Sequence, residues 1–99
     1  MLLNITPSEG GFKLDGELDM ASADELRTAL IGWDGTGALL LDVSELRFMD
    51  SSGLRVLLEM VGSRNGSEGS IVLLHPTSQV QKVLDISIPG GTPGLEVRR

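Results

Sequence analysis

Hydrophobic and polar positions alternate twice near the start of the chain. In "LLNIT" (2–6) and "GFKLDGELD" (11–19), Leu3 and Ile5, and Phe12 and Leu14, alternate with polar residues, the period of a half-buried strand. "PSEGG" between them is turn chemistry, so a hairpin is expected to open the fold. Ser22 and Glu25 of "SADE" have capping-box spacing, and Leu26, Ala29, Leu30 and Trp33 then recur at helical intervals. The first helix is predicted over about 23–33. "ALLLDV" (38–43) is a continuous apolar run, short enough for a strand buried on both faces, with helices above and below the sheet.

The next segment, "FMDSSGLRVLLEM" (48–60), stacks an acid, two serines and a glycine before an apolar run with Leu54, Leu57, Leu58 and Val61 at i, i+3, i+4 and i+7. This predicts a second helix, stopped by "GSRNGSEG" (62–69). "SIVLLHP" (70–76) reads as another strand. "SQVQ" (78–81) repeats the capping box before Val80, Val83 and Leu84, a short third helix. "IPGGTPG" breaks the pattern, leaving "LEVRR" as a short edge strand or loose. The expected architecture is a single α/β domain over 1–99 with its core in 2–88 and a tail at 89–99. Its central mixed sheet has four to five strands flanked by three to four helices.

Composition narrows the chemistry. The 99-residue chain has no cysteine and one histidine, His75, so thiolate sites and multi-histidine metal clusters are excluded. Its formal charge of −6 and three aromatic residues argue against nucleic acid as a partner. The chain shows no signal-peptide pattern and no apolar run of about 18 residues, so a cytoplasmic protein without membrane insertion is expected. A hydrolase needs a nucleophile with a base, but Ser52 lacks the G-x-S-x-G setting and His75 stands alone. "DGELD" fails the register of a Ca²⁺ loop. No enzyme activity, metal or cofactor is expected.

One cap residue suffices to start a helix, so the stacked hydroxyls need a reason. Asp50 or Ser51 can cap the second helix, at about 1 kcal/mol. Projection at about 100° per residue centres the core face near Leu54 and Val61, with Ser51 roughly 60° and Ser52 roughly 160° away. Ser52 is thereby expected outward, with Arg55, Val56 and Glu59. Val56 and Met60 extend the apolar stripe beyond one core face and leave apolar area for a partner. An anion on Ser52 is tolerated by the positive end of its helix. Gly53 would clear the approach of a catalytic group. Residues alone leave two readings, a redundant cap and a modification site.

Two runs carry a family likeness. "DVSELRFMDSSGLRVLLEM" resembles the phosphorylation-site region of STAS-domain anti-sigma-factor antagonists, and "GELDMASADEL" resembles their other typical run, in the expected order. The resemblance spans about residues 3–86. It implies a protein that grips an anti-sigma factor with serine-kinase activity and an ATP-binding kinase fold, freeing a sigma factor. It further implies phosphorylation of the serine before the glycine, Ser52, reversed by a PP2C-type serine phosphatase. By the same likeness Asp50 holds the helix start and Asp19 joins the partner surface. From the helix projection, that surface is expected to include Ser51, Arg55, Val56 and Glu59. The end of the chain, "ISIPGGTPGLEVRR", departs from the family pattern.

Two rivals remain in view. "LLLDVS" also looks like the strand carrying a receiver's phosphoacceptor aspartate, here Asp42, but the adjacent acidic pair that a receiver needs is missing. The stronger alternative is a STAS regulatory subunit of a transporter-associated or signalling complex.

Overall fold

The computed structural model describes residues 2–64 and 71–99. Along the chain these form β1 (Leu3–Ser8), β2 (Gly11–Leu18), α1 (Ala23–Ile31), β3 (Leu39–Met49), α2 (Ser51–Arg64), β4 (Ile71–Leu74), α3 (Ser78–Ser87) and β5 (Leu95–Arg98). The strands make one sheet in the order β1-β2-β3-β4-β5. β1 and β2 are antiparallel, and every later pair is parallel. The expected hairpin turns at Glu9 and Gly10, where Gly10 has φ 75°, a conformation that suits glycine.

Each helix links two neighbouring parallel strands, always stepping in the same direction across the sheet. Right-handed crossovers of this kind place all three helices on one face. A single core cluster joins Leu26 and Leu30 of α1, Leu54 and Leu57 of α2, and Val80 and Leu84 of α3 to Leu14, Leu41, Val43, Ile71 and Leu73 of the sheet. The fold is therefore an α/β domain of two layers, and the expectation that β3 is buried on both faces is corrected. Leu39, Leu41 and Val43 are buried, whereas Leu40, Asp42 and Ser44 are half-buried on the other side. Part of Leu40's apolar surface is met by the hairpin turn, since a Cβ on Gly10 would lie 3.0 Å from its Cδ1. Val72, with 0% exposure, is the exception on this open face.

Several boundaries also shift. α1 ends at Ile31 with Gly32 as its cap; Trp33 still packs on the core from beyond the helix. α2 runs through Gly62 to Arg64, since an interior glycine costs only about 1 kcal/mol. The remainder of the expected stop, residues 65–69, lies outside the described residues, as does Ser70.

Neither capping box forms. Ser22 is 1% exposed and donates its hydroxyl to the Glu17 carbonyl at 2.8 Å instead of capping α1. α3 is capped one residue earlier than expected, by Thr77, whose hydroxyl accepts from the Val80 N–H. The end of the chain is a strand: β5 pairs in parallel with β4, and Leu95 reaches the core.

Candidate functional site at the start of α2

The parallel strands β2 and β3 end side by side, with Leu18 paired to Met49. Asp50 follows directly and turns the chain into α2. Its N–H donates to the Leu18 carbonyl at 3.2 Å. Its Oδ1 accepts from the N–H of Ser52 at 2.9 Å and of Gly53 at 3.2 Å, so Asp50 is the helix cap. Neither serine is needed for capping. Among the described residues neither serine hydroxyl has a hydrogen-bond partner, Ser51 being exposed and Ser52 half-buried.

Gly53 answers a packing demand. A Cβ at this position would stand 2.5 Å from Leu18 Cγ and 3.0 Å from the Leu18 carbonyl oxygen. The first turn of α2 thus rests directly on the end of β2, and the glycine serves that contact and not the approach of a partner.

The same seating corrects the helix projection. α2 packs on α1 as well as on the sheet and α3, and its buried positions are Gly53, Leu54, Val56, Leu57 and Met60. The core face therefore centres between Gly53 and Leu57, roughly 80° from the position set by Leu54 and Val61. Val56 is 1% exposed and Met60 8%, so neither offers apolar surface to a partner. The expectation for both is withdrawn. Ser51, Arg55 and Glu59 form the exposed face, and Ser52 lies at its edge.

Asp19 sits just beyond β2 as a half-buried residue. Its Oδ1 accepts from the N–H groups of Ala21 at 3.0 Å and Ser22 at 3.2 Å, which closes the turn into α1. Met20 projects from that turn at 79% exposure. Glu59 is held across the helix pair by Arg27, Nε to Oε2 at 3.2 Å, and Arg27 also binds Asp24. The hydrogen bond from Arg27 to Glu59 keeps the guanidinium pKa above its ordinary value, against the opposing pull of desolvation. Beside Ser51 a groove of about 480 Å³ runs between α2 and the end of α3, walled by Leu54, Leu58 and Ile88 with Arg55 and Glu59 at its rim.

Two contributors were not singled out as such from the sequence. Gln79 lies inside the "SQVQ" run, and its amide pairs with both backbone groups of Met49. Thr77 donates to the Leu46 carbonyl at 3.1 Å. Asp42, the rival phosphoacceptor, lies in the first half of β3 on the open face, away from α2. Burial pushes its carboxyl up, but hydrogen bonds from Ser44 and the charges of Lys13 and His75 outweigh that and hold it below the ordinary carboxylate value. His75 is exposed, with its N–H donating to the Arg98 carbonyl at 2.7 Å. Among the described residues no helix is long and apolar enough to cross a membrane.

The family described as "Mlab, STAS domain" matches residues 1–87. The chain belongs to the STAS domain family. Solved structures superpose along nearly its whole length. The anti-sigma factor antagonist SpoIIAA in its unphosphorylated form is 26% identical with a TM-score of 0.71, over 97% of this chain and 87% of that one. Bacillus SpoIIAA in the phosphorylated form is 24% identical with a TM-score of 0.63, over 97% and 90%. A candidate anti-sigma factor antagonist from Thermotoga maritima is 18% identical with a TM-score of 0.73, over 98% and 86%. This STAS domain therefore has the fold of an anti-sigma factor antagonist.

Proposed function

We propose that this STAS domain is a cytoplasmic, non-enzymatic anti-sigma factor antagonist switched off by phosphorylation on Ser52. It binds an anti-sigma factor that is also a serine kinase, frees the sigma factor, and is restored by a PP2C-type serine phosphatase. The observation that carries the reading is the division of labour at the start of α2. Asp50 does the capping, and both serine hydroxyls are left without structural work. A hydroxyl that the fold does not need, at a helix start able to accommodate an anion, suits reversible phosphorylation. The similarity to SpoIIAA, known in unphosphorylated and phosphorylated forms, supports the same reading.

The partner surface in this proposal is the exposed edge of α2, with Ser51, Ser52, Arg55 and Glu59, flanked by Asp50 and the Asp19 turn. Ser51 is the more exposed serine, so the choice of Ser52 rests on the D-S-S-G-L likeness. Mass-spectrometric mapping of the protein phosphorylated in its native cytosol tests it. Phosphate on Ser52, lost in Ser52→Ala and retained in Ser51→Ala, is the expected result; phosphate on Ser51 alone overturns the assignment.

A second reading is a STAS subunit of a transporter-associated or signalling complex. The matched family description names Mlab and not a sigma pathway, which favours keeping it. Recovery of a purified complex containing an anti-sigma kinase supports the first reading, and recovery of a transporter assembly in its place supports the second.

A further inference from the structure

We propose that Arg55 is the internal counter-ion of a phosphate on Ser52, so that phosphorylation cancels the cation at the rim of the α2/α3 groove. The inference rests on the phosphorylation reading above and concerns how the modified site is arranged. Side chains three and four apart share a helix face, so Arg55 neighbours both Ser52 and Ser51. Arg55 is exposed and, among the described residues, has no hydrogen-bond or ion-pair partner. Arg27, on the neighbouring helix α1, is not in the same position. It is committed to Asp24 and Glu59, and in binding Glu59 it answers the acidic group at the groove's rim.

What the groove presents is therefore apolar wall with one unengaged cation, on a chain of formal charge −6. A phosphoserine carries about −1.5 to −2 charges and three strong acceptor oxygens, and a guanidinium can meet it with two parallel N–H bonds. Asp50, whose carboxylate caps the same turn, repels that phosphate, as does the Asp19 carboxylate at the neighbouring turn. Arg55 is the side chain placed to offset them. Phosphorylation then changes the groove twice: it adds negative charge at the rim and removes the positive charge that stood there.

The test uses the whole protein with phosphoserine installed at position 52 during translation, so no kinase or partner is required. The second ionisation of the phosphate is followed by ³¹P NMR against pH, in otherwise wild-type protein and in Arg55→Gln. The expected midpoint is about 0.3 pH unit lower with Arg55 present, the scale of an exposed helical ion pair, and the gap closes at about 1 M salt. Equal midpoints at low salt overturn the pairing. That outcome leaves phosphate-driven release standing on repulsion alone, whereas a natural acceptor other than Ser52 would leave the midpoints as measured.

Discussion

The side-chain amide of Gln79 completes a strand edge for Met49, accepting from its N–H at 2.9 Å and donating to its carbonyl at 3.1 Å. β4 pairs with β3 only as far as Asp42, so the far half of β3 has β2 along one edge and no strand along the other. α3 supplies the missing partners, through Gln79 and through the bond from Thr77 to Leu46. Met49 is thereby fixed from one side, while Asp50 is tied to Leu18 on the other. The turn that carries both serines hangs from these two anchors.

Gln79→Leu should therefore loosen that turn. It leaves the Met49 N–H and carbonyl without partners, at about 1–3 kcal/mol for each group that water cannot reach. Urea unfolding is expected to show the loss. Amide signals of Asp50, Ser52 and Gly53 should shift with it, and unchanged signals there would show that Gln79 does not position the turn.

Gly53→Ala offers a sharper test of the seating of α2. Alanine improves helix propensity by about 1 kcal/mol, but the added methyl enters the space of Leu18, and overpacking of this kind costs about 1–3 kcal/mol. Net destabilisation is expected. Leu18→Ala alone costs about 2–5 kcal/mol by opening a cavity. The double variant should lose less than the sum of the two, because the methyl partly fills the space that Leu18 vacates. Strict additivity in chemical denaturation would contradict the contact.

The open face predicts a pH effect. Asp42 has a folded-state pKa below its ordinary value, so its ionised form favours the fold above about pH 4 and that contribution fades as pH falls through the lower folded value. Between about pH 6 and pH 3 the wild type should lose more stability than Asp42→Asn, in which the bond from the Ser44 N–H can persist. Parallel losses in urea titrations at the two pH values would rule out this coupling.

Much of the fold was legible because it follows from periodicity. Leu3, Ile5, Phe12 and Leu14 marked the hairpin, and the helical spacing of Leu26 and Leu30 or Leu54 and Leu57 marked helices that the structure contains. The sheet sidedness was not legible, since three successive leucines at 39–41 carry no alternation. The cap assignments failed for a related reason. Ser22 and Thr77 each had more than one backbone group within reach, and only tertiary contacts with Glu17 and Leu46 decide among them. At the site, Asp50 as cap was readable, but the facing of α2 was not. A wheel drawn from leucines alone cannot register that α1 and Leu18 bury Val56, Met60 and Gly53 as well. Gln79 left no sequence signal, because its role depends on β4 ending early.

Release of the partner by phosphate on Ser52 is most directly tested by one binding titration, with the purified anti-sigma kinase against unmodified and Ser52-phosphorylated protein. Like charges brought together in an interface cost several kcal/mol, and about 3 kcal/mol corresponds to roughly a hundredfold in Kd. The phosphorylated protein should bind about a hundredfold more weakly while melting near the temperature of the unmodified form, since the positive end of α2 and Arg55 offset the repulsion from Asp50 and Asp19. Equal affinity of the two forms, with phosphate verified on Ser52, would contradict the switch.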